Sequence, residues 1–105
     1  MPRPALFLDR DGVINLHVGY TTTVREFLWI EGIFETVRVA KSLGLLIIVV
    51  TNQAGIAKGY LTEDAFNALT SWMAGQFADH GARLDAVYFC PFHADGSGKY
   101  RVANH

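Results

Sequence analysis

The sequence is poor in cysteine, has no excess of basic charge and contains no long apolar run. A single cysteine in 105 residues excludes a disulfide framework within the chain and is typical of a reducing compartment. Nine Lys and Arg stand against ten Asp and Glu, a formal net charge of −1, so neither nucleic acid nor an anionic membrane is an expected partner. The longest wholly apolar run, Leu45–Val50, is far shorter than the roughly 20 residues of a spanning helix.

The opening residues Met1–Pro4 show no signal-peptide pattern, so we expect a cytoplasmic protein that acts on a small molecule. Internal repeats, low-complexity tracts and linkers rich in Gly, Pro or Ser are also absent from the sequence. Half of the residues are hydrophobic and 18% are charged, a composition that suits one modest core rather than disorder. The chain is therefore predicted to lie within one domain.

Apolar runs and helical periodicity alternate along the chain. The pattern predicts strands at Ala5–Leu8, Leu45–Val50 and Leu84–Cys90, a helix from Ile33 to Leu43, and a helix that Thr62 caps and Gly81 ends. This β-α-β-α-β order is typical of a Rossmann-like parallel α/β sheet with right-handed crossovers.

The predicted topology leaves one face of the sheet without cover. Two right-handed crossovers in the same direction place both helices on one face, whereas Leu45–Val50, apolar at every position, is expected to be covered on both. The sequence offers no third helix. We therefore interpret the chain as the N-terminal part of a larger fold, incomplete by itself, or as one that associates with another chain through the open face.

Polar residues follow the first two strands. Asp9 and Asp11 come after the first strand in FLDRDGVIN, and Thr51, Asn52 and Gln53 come after the second. In a parallel sheet both groups lie at the carboxyl edge, where ligands bind. The sequence therefore predicts a site at this edge.

The residue types at this edge suit phosphoryl transfer. Asp9 can attack phosphorus to form an acyl phosphate, and Asp11 can protonate the leaving alkoxide and then activate water. Mg²⁺ is the expected mediator between a carboxylate and a phosphate dianion. Gly12 permits a tight turn, Thr51 can donate to a phosphate oxygen, and Asn52 can orient the nucleophile or substrate.

Simpler interpretations remain open for each of these residues. The Asp-x-Asp spacing arises often by chance, and a solvated turn would explain it. Ordinary capping of a strand end would explain Thr51 to Gln53. Lys58, a candidate contact for an anionic substrate, would be merely solvated.

Several segments together resemble the haloacid dehalogenase superfamily of phosphohydrolases, and within it the phosphatases that act on heptose bisphosphates or on histidinol phosphate. These segments are FLDRDGVIN, Gly19-Tyr20, FLWIEGI, VVTNQAGIAKGYLTEDAF and YFCPFH, and they span nearly the whole chain in order. The resemblance implies a Mg²⁺-dependent sugar-phosphate phosphatase, with a heptose bisphosphate as the leading substrate and histidinol phosphate as the alternative.

The resemblance also implies roles for individual residues. Asp9 would be the nucleophile, Asp11 the general acid and base, and Thr51 a phosphate ligand, while Asp9 and the backbone carbonyl of Asp11 would hold Mg²⁺. The predicted substrate contacts are Arg10, Gly19, Tyr20, Asn52, Gln53 and Lys58.

Three departures from the family pattern qualify these roles. The Arg-Lys-Pro segment and the later acidic motif of the family have no counterpart, so the 105-residue chain alone is expected to be a weak catalyst or inactive.

Many relatives bind zinc through Cys-Pro-His and a following cysteine pair, but Phe92 follows Cys90 and Pro91 here and the pair is missing. We therefore predict no zinc, with His93 a loop residue. Val13 replaces a common threonine, a mild change.

Two hypotheses from other classes remain. A receiver-type phosphoacceptor domain also carries an acidic pair after its first strand, but its accepting Asp ends the third strand, where this chain has Cys90. The other is a catalytically silent fragment that pairs with another polypeptide.

Overall fold

The computed structural model describes residues 3–16, 23–52, 59 and 62–90. Three parallel strands form one sheet in the order β1-β2-β3. In chain order, the elements of the described residues are β1 (Ala5–Leu8), a 3₁₀ helix (Val24–Glu26), α1 (Ile33–Ser42), β2 (Leu46–Asn52), α2 (Glu63–Asp79) and β3 (Ala86–Cys90). The predicted parallel α/β fold is confirmed. None of the helices in these ranges is long and apolar enough to cross a membrane.

The predicted helix ends agree closely with the structure. Gly44 and Gly81 follow the two helices with φ of 86° and 70°, the left-handed conformation that glycine adopts without strain. At the start of α2, the Thr62 hydroxyl accepts a hydrogen bond from the Ala65 amide at 3.0 Å, which satisfies one of the amides that a helix start leaves without a partner.

The ends of two strands differ from the prediction. β2 continues through Thr51 and Asn52, which pair with Phe89 and Cys90 of β3, because the polar side chains do not prevent their backbone from joining the ladder. β3 begins at Ala86 rather than Leu84. Asp85 precedes it and holds the backbone of Ile47 from both sides: its amide donates to Ile47 O at 2.8 Å, and its carboxylate accepts from Ile47 N at 2.6 Å.

Both helices pack on the same face of the sheet, as the topology predicts. Buried residues of α1, α2, β1 and β2 form one hydrophobic cluster, and the partly buried Val87 of β3 packs against it. The part of this cluster between the helices is aromatic: the rings of Phe27, Trp29, Phe34, Trp72 and Phe77 lie at centroid distances of 4.7 to 5.8 Å. Such edge and tilted contacts stabilise beyond area burial alone.

The opposite face of the sheet is apolar and exposed. Phe7, Val50 and Tyr88 are 63%, 48% and 63% exposed. Val50 and Tyr88 pair across β2 and β3, and Phe7 pairs with the half-buried Ile48. These four residues form the open sheet face. The sequence-based prediction that one side of the sheet lacks helical cover is confirmed for the described residues.

Candidate active site

The acidic pair and Thr51 lie at the carboxyl edge of the sheet. Leu8, the last residue of β1, pairs with Val49, so Asp9 follows this pair by one residue and Thr51 by two. Neighbouring strands are about 4.8 Å apart. Thr51 is only 2% exposed, and it lies on the covered face together with Val49. The structure thus brings the tips of β1 and β2 together, as the sequence predicted.

Asp9 presents an exposed carboxylate directly after β1. Its Oδ1 accepts a hydrogen bond from the Arg10 amide at 2.7 Å. This bond fixes one oxygen of the carboxylate relative to the backbone, while the side chain stays accessible. An exposed and oriented carboxylate at a strand tip can approach an electrophile from solvent.

The loop after Asp9 folds around the carbonyl oxygen of Arg10. The amides of Val13, Ile14 and Asn15 all donate to this oxygen, at 3.3, 2.8 and 3.1 Å. The turn requires Gly12, which has φ of 89°, and its amide donates to Asn15 O at 2.7 Å. The amides of this loop therefore hold the loop itself together, and a residue with a Cβ at position 12 would be strained.

The Asp11 carboxylate is held by two side chains. Its Oδ1 accepts from Arg10 Nε and Nη2 at 3.2 and 3.0 Å and from Asn15 Nδ2 at 3.0 Å. These bonds orient the Asp11 side chain. Because it is 18% exposed, part of it remains accessible to solvent. A hydrogen-bonded carboxylate beside a cation can be partly buried without a large desolvation cost.

Arg10 is a buried cation rather than a surface residue. It is 2% exposed, and its guanidinium carbon lies 5.8 and 6.0 Å from the ring centroids of Phe27 and Phe66. These distances allow cation–π attraction to both rings. The geometry favours an action through Asp11, and direct contact of Arg10 with a substrate stays a prediction.

The oxygen donors at this edge fit Mg²⁺. This ion binds through one or two carboxylates and completes its shell with water and phosphate oxygens. Asp9 is exposed, and its carboxylate stays one predicted ligand. The backbone carbonyl of Asp11, which the family resemblance implies, stays the other, while the Asp11 carboxylate is bonded to Arg10 and Asn15. Within the described ranges no cluster of three or more His, Cys, Asp and Glu is present.

Several predicted residues lie outside the described part of the chain. These are Gly19, Tyr20, Gln53, Lys58 and His93. Asn52 is described and lies exposed at the end of β2, where it can meet a ligand at the sheet edge. Sequence reasoning assigned no role to Asn15, which is fully buried and bonded to Asp11. The sequence feature that could have indicated a role for Asn15 is an amide side chain between the apolar Ile14 and Leu16, four positions after Asp11.

Curated relatives match nearly the whole chain. The chain is 55% identical over 103 residues to the D-glycero-alpha-D-manno-heptose-1,7-bisphosphate 7-phosphatase of Burkholderia mallei, with 97% of this chain and 54% of the relative covered. It is 48% identical over 102 residues to the D-glycero-beta-D-manno-heptose-1,7-bisphosphate 7-phosphatase of Vibrio cholerae, with coverages of 96% and 55%. The chain spans about half the length of these relatives. No family model matches the sequence.

Solved structures show the same fold. A HAD-like phosphatase of Mesorhizobium loti superposes with a TM-score of 0.89 at 35% identity, over 97% of this chain and 49% of that one. A D,D-heptose 1,7-bisphosphate phosphatase of B. bronchiseptica, complexed with magnesium and phosphate, has a TM-score of 0.82 at 26% identity, with coverages of 93% and 55%. The chain is therefore a homologue of the heptose 1,7-bisphosphate 7-phosphatases, and it carries about half of the haloacid dehalogenase-like phosphatase fold.

Proposed function

We propose that this chain is part of a Mg²⁺-dependent phosphatase whose substrate is D-glycero-D-manno-heptose 1,7-bisphosphate. The observation that carries the proposal is the position of Asp9, an exposed residue at the tip of β1, next to the strand that carries Thr51 near its carboxyl end. The names of the relatives give the reaction and the substrate, and one neighbouring structure holds magnesium and phosphate.

The first half of the proposed reaction transfers the phosphoryl group to Asp9. A carboxylate oxygen of Asp9 attacks phosphorus, the bond from phosphorus to the sugar oxygen breaks, and Asp11 gives a proton to the leaving alkoxide. The Thr51 hydroxyl donates to a phosphate oxygen. Bound Mg²⁺, held by Asp9 and Asp11, would neutralise charge on the phosphate.

The second half regenerates the enzyme. Asp11, now a carboxylate, takes a proton from water, whose oxygen attacks phosphorus and releases phosphate from Asp9. Asp9 returns to its carboxylate form and Asp11 to its protonated form, so the cycle is balanced. The proposed contacts to the remainder of the substrate are those predicted from the sequence: Arg10, Gly19, Tyr20, Asn52, Gln53 and Lys58.

The proposal also covers the domain to which the site belongs, its cellular compartment and the absence of zinc. Residues 1–105 would be the N-terminal part of a single phosphatase domain in a cytoplasmic protein, since the relatives are about twice as long as the region that matches. The absence of zinc stays a prediction, because Pro91 to His93 lie outside the described residues. Metal analysis of the purified protein would test it, and stoichiometric zinc would contradict it.

Phosphate release tests the proposal. We expect the protein, as its gene encodes it, to release phosphate from the heptose bisphosphate with Mg²⁺, to lose this activity in excess EDTA, and to regain it when Mg²⁺ is added back. Histidinol phosphate, the alternative substrate, is the matched comparison in the same assay. Both anomers are required, because the relatives carry both in their names. Equal rates on the two substrates would contradict the substrate assignment.

The open sheet face predicts self-association of the 105-residue chain. An exposed apolar surface on a sheet is a site of association, and a second copy presents the same surface. We expect sedimentation velocity at micromolar concentrations to show a species larger than the monomer, and Tyr88→Glu to restore the monomer. Leu43→Glu is the control, because Leu43 is 72% exposed but follows α1 rather than lying on this face. A monomeric parent chain, or an equal effect of both substitutions, would contradict the prediction.

A further inference from the structure

We propose that Arg10 and Asn15 are positioning residues that hold the Asp11 carboxylate in the orientation in which it exchanges a proton with the substrate. The inference rests on the proposed function, since it assigns how the acid and base of that reaction is aimed. It gives Asn15 a role in the site and gives Arg10 a role that needs no contact with substrate.

The convergence of donors on one oxygen carries the inference. Arg10 Nε, Arg10 Nη2 and Asn15 Nδ2 lie 3.2, 3.0 and 3.0 Å from Oδ1 of Asp11. A carboxylate has about four lone-pair sites over its two oxygens, so three N–H groups occupy the accepting capacity of Oδ1. A proton on Oδ1 would displace at least one of these donors. These three bonds therefore fix the carboxylate through Oδ1.

Both donor side chains are fixed by the core. The Arg10 guanidinium lies close to the rings of Phe27 and Phe66, and its backbone carbonyl accepts three hydrogen bonds from the amides of the loop. Asn15 is fully buried and forms a bridge with Trp29. On either side of Asn15, the bonds Leu16 N to Leu28 O at 2.7 Å and Ile30 N to Ile14 O at 2.9 Å hold its backbone. Neither donor can follow a rotation of the Asp11 carboxylate.

Fixed donors restrict the carboxylate to one useful orientation. Rotation of the carboxylate away from the observed orientation would break the three bonds to Oδ1. Proton transfer demands that the acid lie within hydrogen-bond reach of the leaving oxygen, and small misplacements of a catalytic group cost large factors in rate. Loss of either donor should therefore slow the step in which Asp11 delivers a proton.

The choice of leaving group isolates that step. The alkoxide that leaves from the sugar phosphate needs a proton from Asp11. p-Nitrophenyl phosphate is the comparison substrate, because its leaving group, p-nitrophenolate, departs without a proton. In the protein as its gene encodes it, Asn15→Leu keeps the size of the side chain and removes Nδ2. We expect kcat on the sugar phosphate to fall about 10- to 100-fold, part of the roughly 10²- to 10⁴-fold worth of general acid–base catalysis, with KM unchanged. The single-turnover burst of p-nitrophenolate should stay within about threefold of the parent.

A second variant and a control complete the experiment. Arg10→Lys keeps the positive charge and removes the two-nitrogen contact with Asp11, and it should show the same selective loss. Asn67→Leu, at an exposed position of α2, makes the same change away from the site and should alter neither rate. Far-UV circular dichroism and the melting temperature show whether each variant folds. If Asn15→Leu or Arg10→Lys does not fold, the rates of the other variant test the inference.

The outcomes separate this inference from the proposed function. A selective loss on the sugar phosphate supports the positioning role. Equal losses on both substrates would indicate a structural role only and would overturn the inference, as would unchanged rates on both. A parent protein that turns over neither substrate would refute the proposed function, and this inference with it.

Discussion

Asp9→Asn is expected to abolish phosphate release from the sugar phosphate. The substitution keeps the shape of the side chain at the tip of β1 and replaces the attacking carboxylate with an amide, which cannot form the acyl phosphate. The expected fall in kcat is on the order of 10⁴-fold or more, the scale seen when hydrolases lose a covalent nucleophile. Steady-state phosphate release measures the effect, and acid-quench trapping of radiolabelled phosphate on the protein shows whether the intermediate forms.

The fold should not change in this variant. Asp9 is exposed, and its carboxylate accepts a hydrogen bond from the Arg10 amide at 2.7 Å, which an amide oxygen can also accept. Asp79→Asn is the matched control, because Asp79 is exposed at the end of α2, and its activity should equal that of the parent. Retention of a tenth or more of the parent activity in Asp9→Asn, or a labelled protein, would contradict the assignment of the nucleophile.

Phe77→Ala is expected to cause the largest loss of stability. Phe77 of α2 is fully buried, and its ring contacts those of Trp29 and Phe34 at centroid distances of 5.6 and 5.0 Å. Removal of a buried phenyl ring costs roughly 3–5 kcal/mol, because transfer energy is lost and a cavity remains. Native domains are stable by only about 5–15 kcal/mol, so the variant should unfold at a much lower urea concentration.

Equilibrium urea unfolding, followed by tryptophan fluorescence, measures this effect. Trp29 and Trp72 both lie in the aromatic cluster and report on its loss. Leu43→Ala is the control: Leu43 is 72% exposed, and an exposed substitution should change the free energy of unfolding by about 0.5 kcal/mol or less. A loss below about 1 kcal/mol for Phe77→Ala would show that the cluster is not the core that the structure describes.

The sequence alone predicted the elements whose signals are local. A run of four apolar residues predicted β1 with its observed bounds, helical spacing and Gly44 predicted α1, and Thr62 predicted the start of α2. The bare face of the sheet followed from the order of elements, because the handedness of crossovers is a general rule. The end of β2 was missed by two residues, since the ladder with β3 and not the polarity of Thr51 and Asn52 decides where the strand stops.

The sequence also determined where the acidic pair would lie, because the carboxyl ends of parallel strands share one edge. Only the tertiary structure decided how that pair is held. Arg10, between two aspartates, was predicted to contact the substrate, and this stays a prediction; the structure adds that its guanidinium is buried beside Phe27 and Phe66 and bonded to Asp11. These rings come from segments distant in the sequence, so no local pattern could indicate that the cation would point inward. Asn15 was overlooked for the same reason: its bond to Asp11 exists only because the loop closes around the carbonyl oxygen of Arg10.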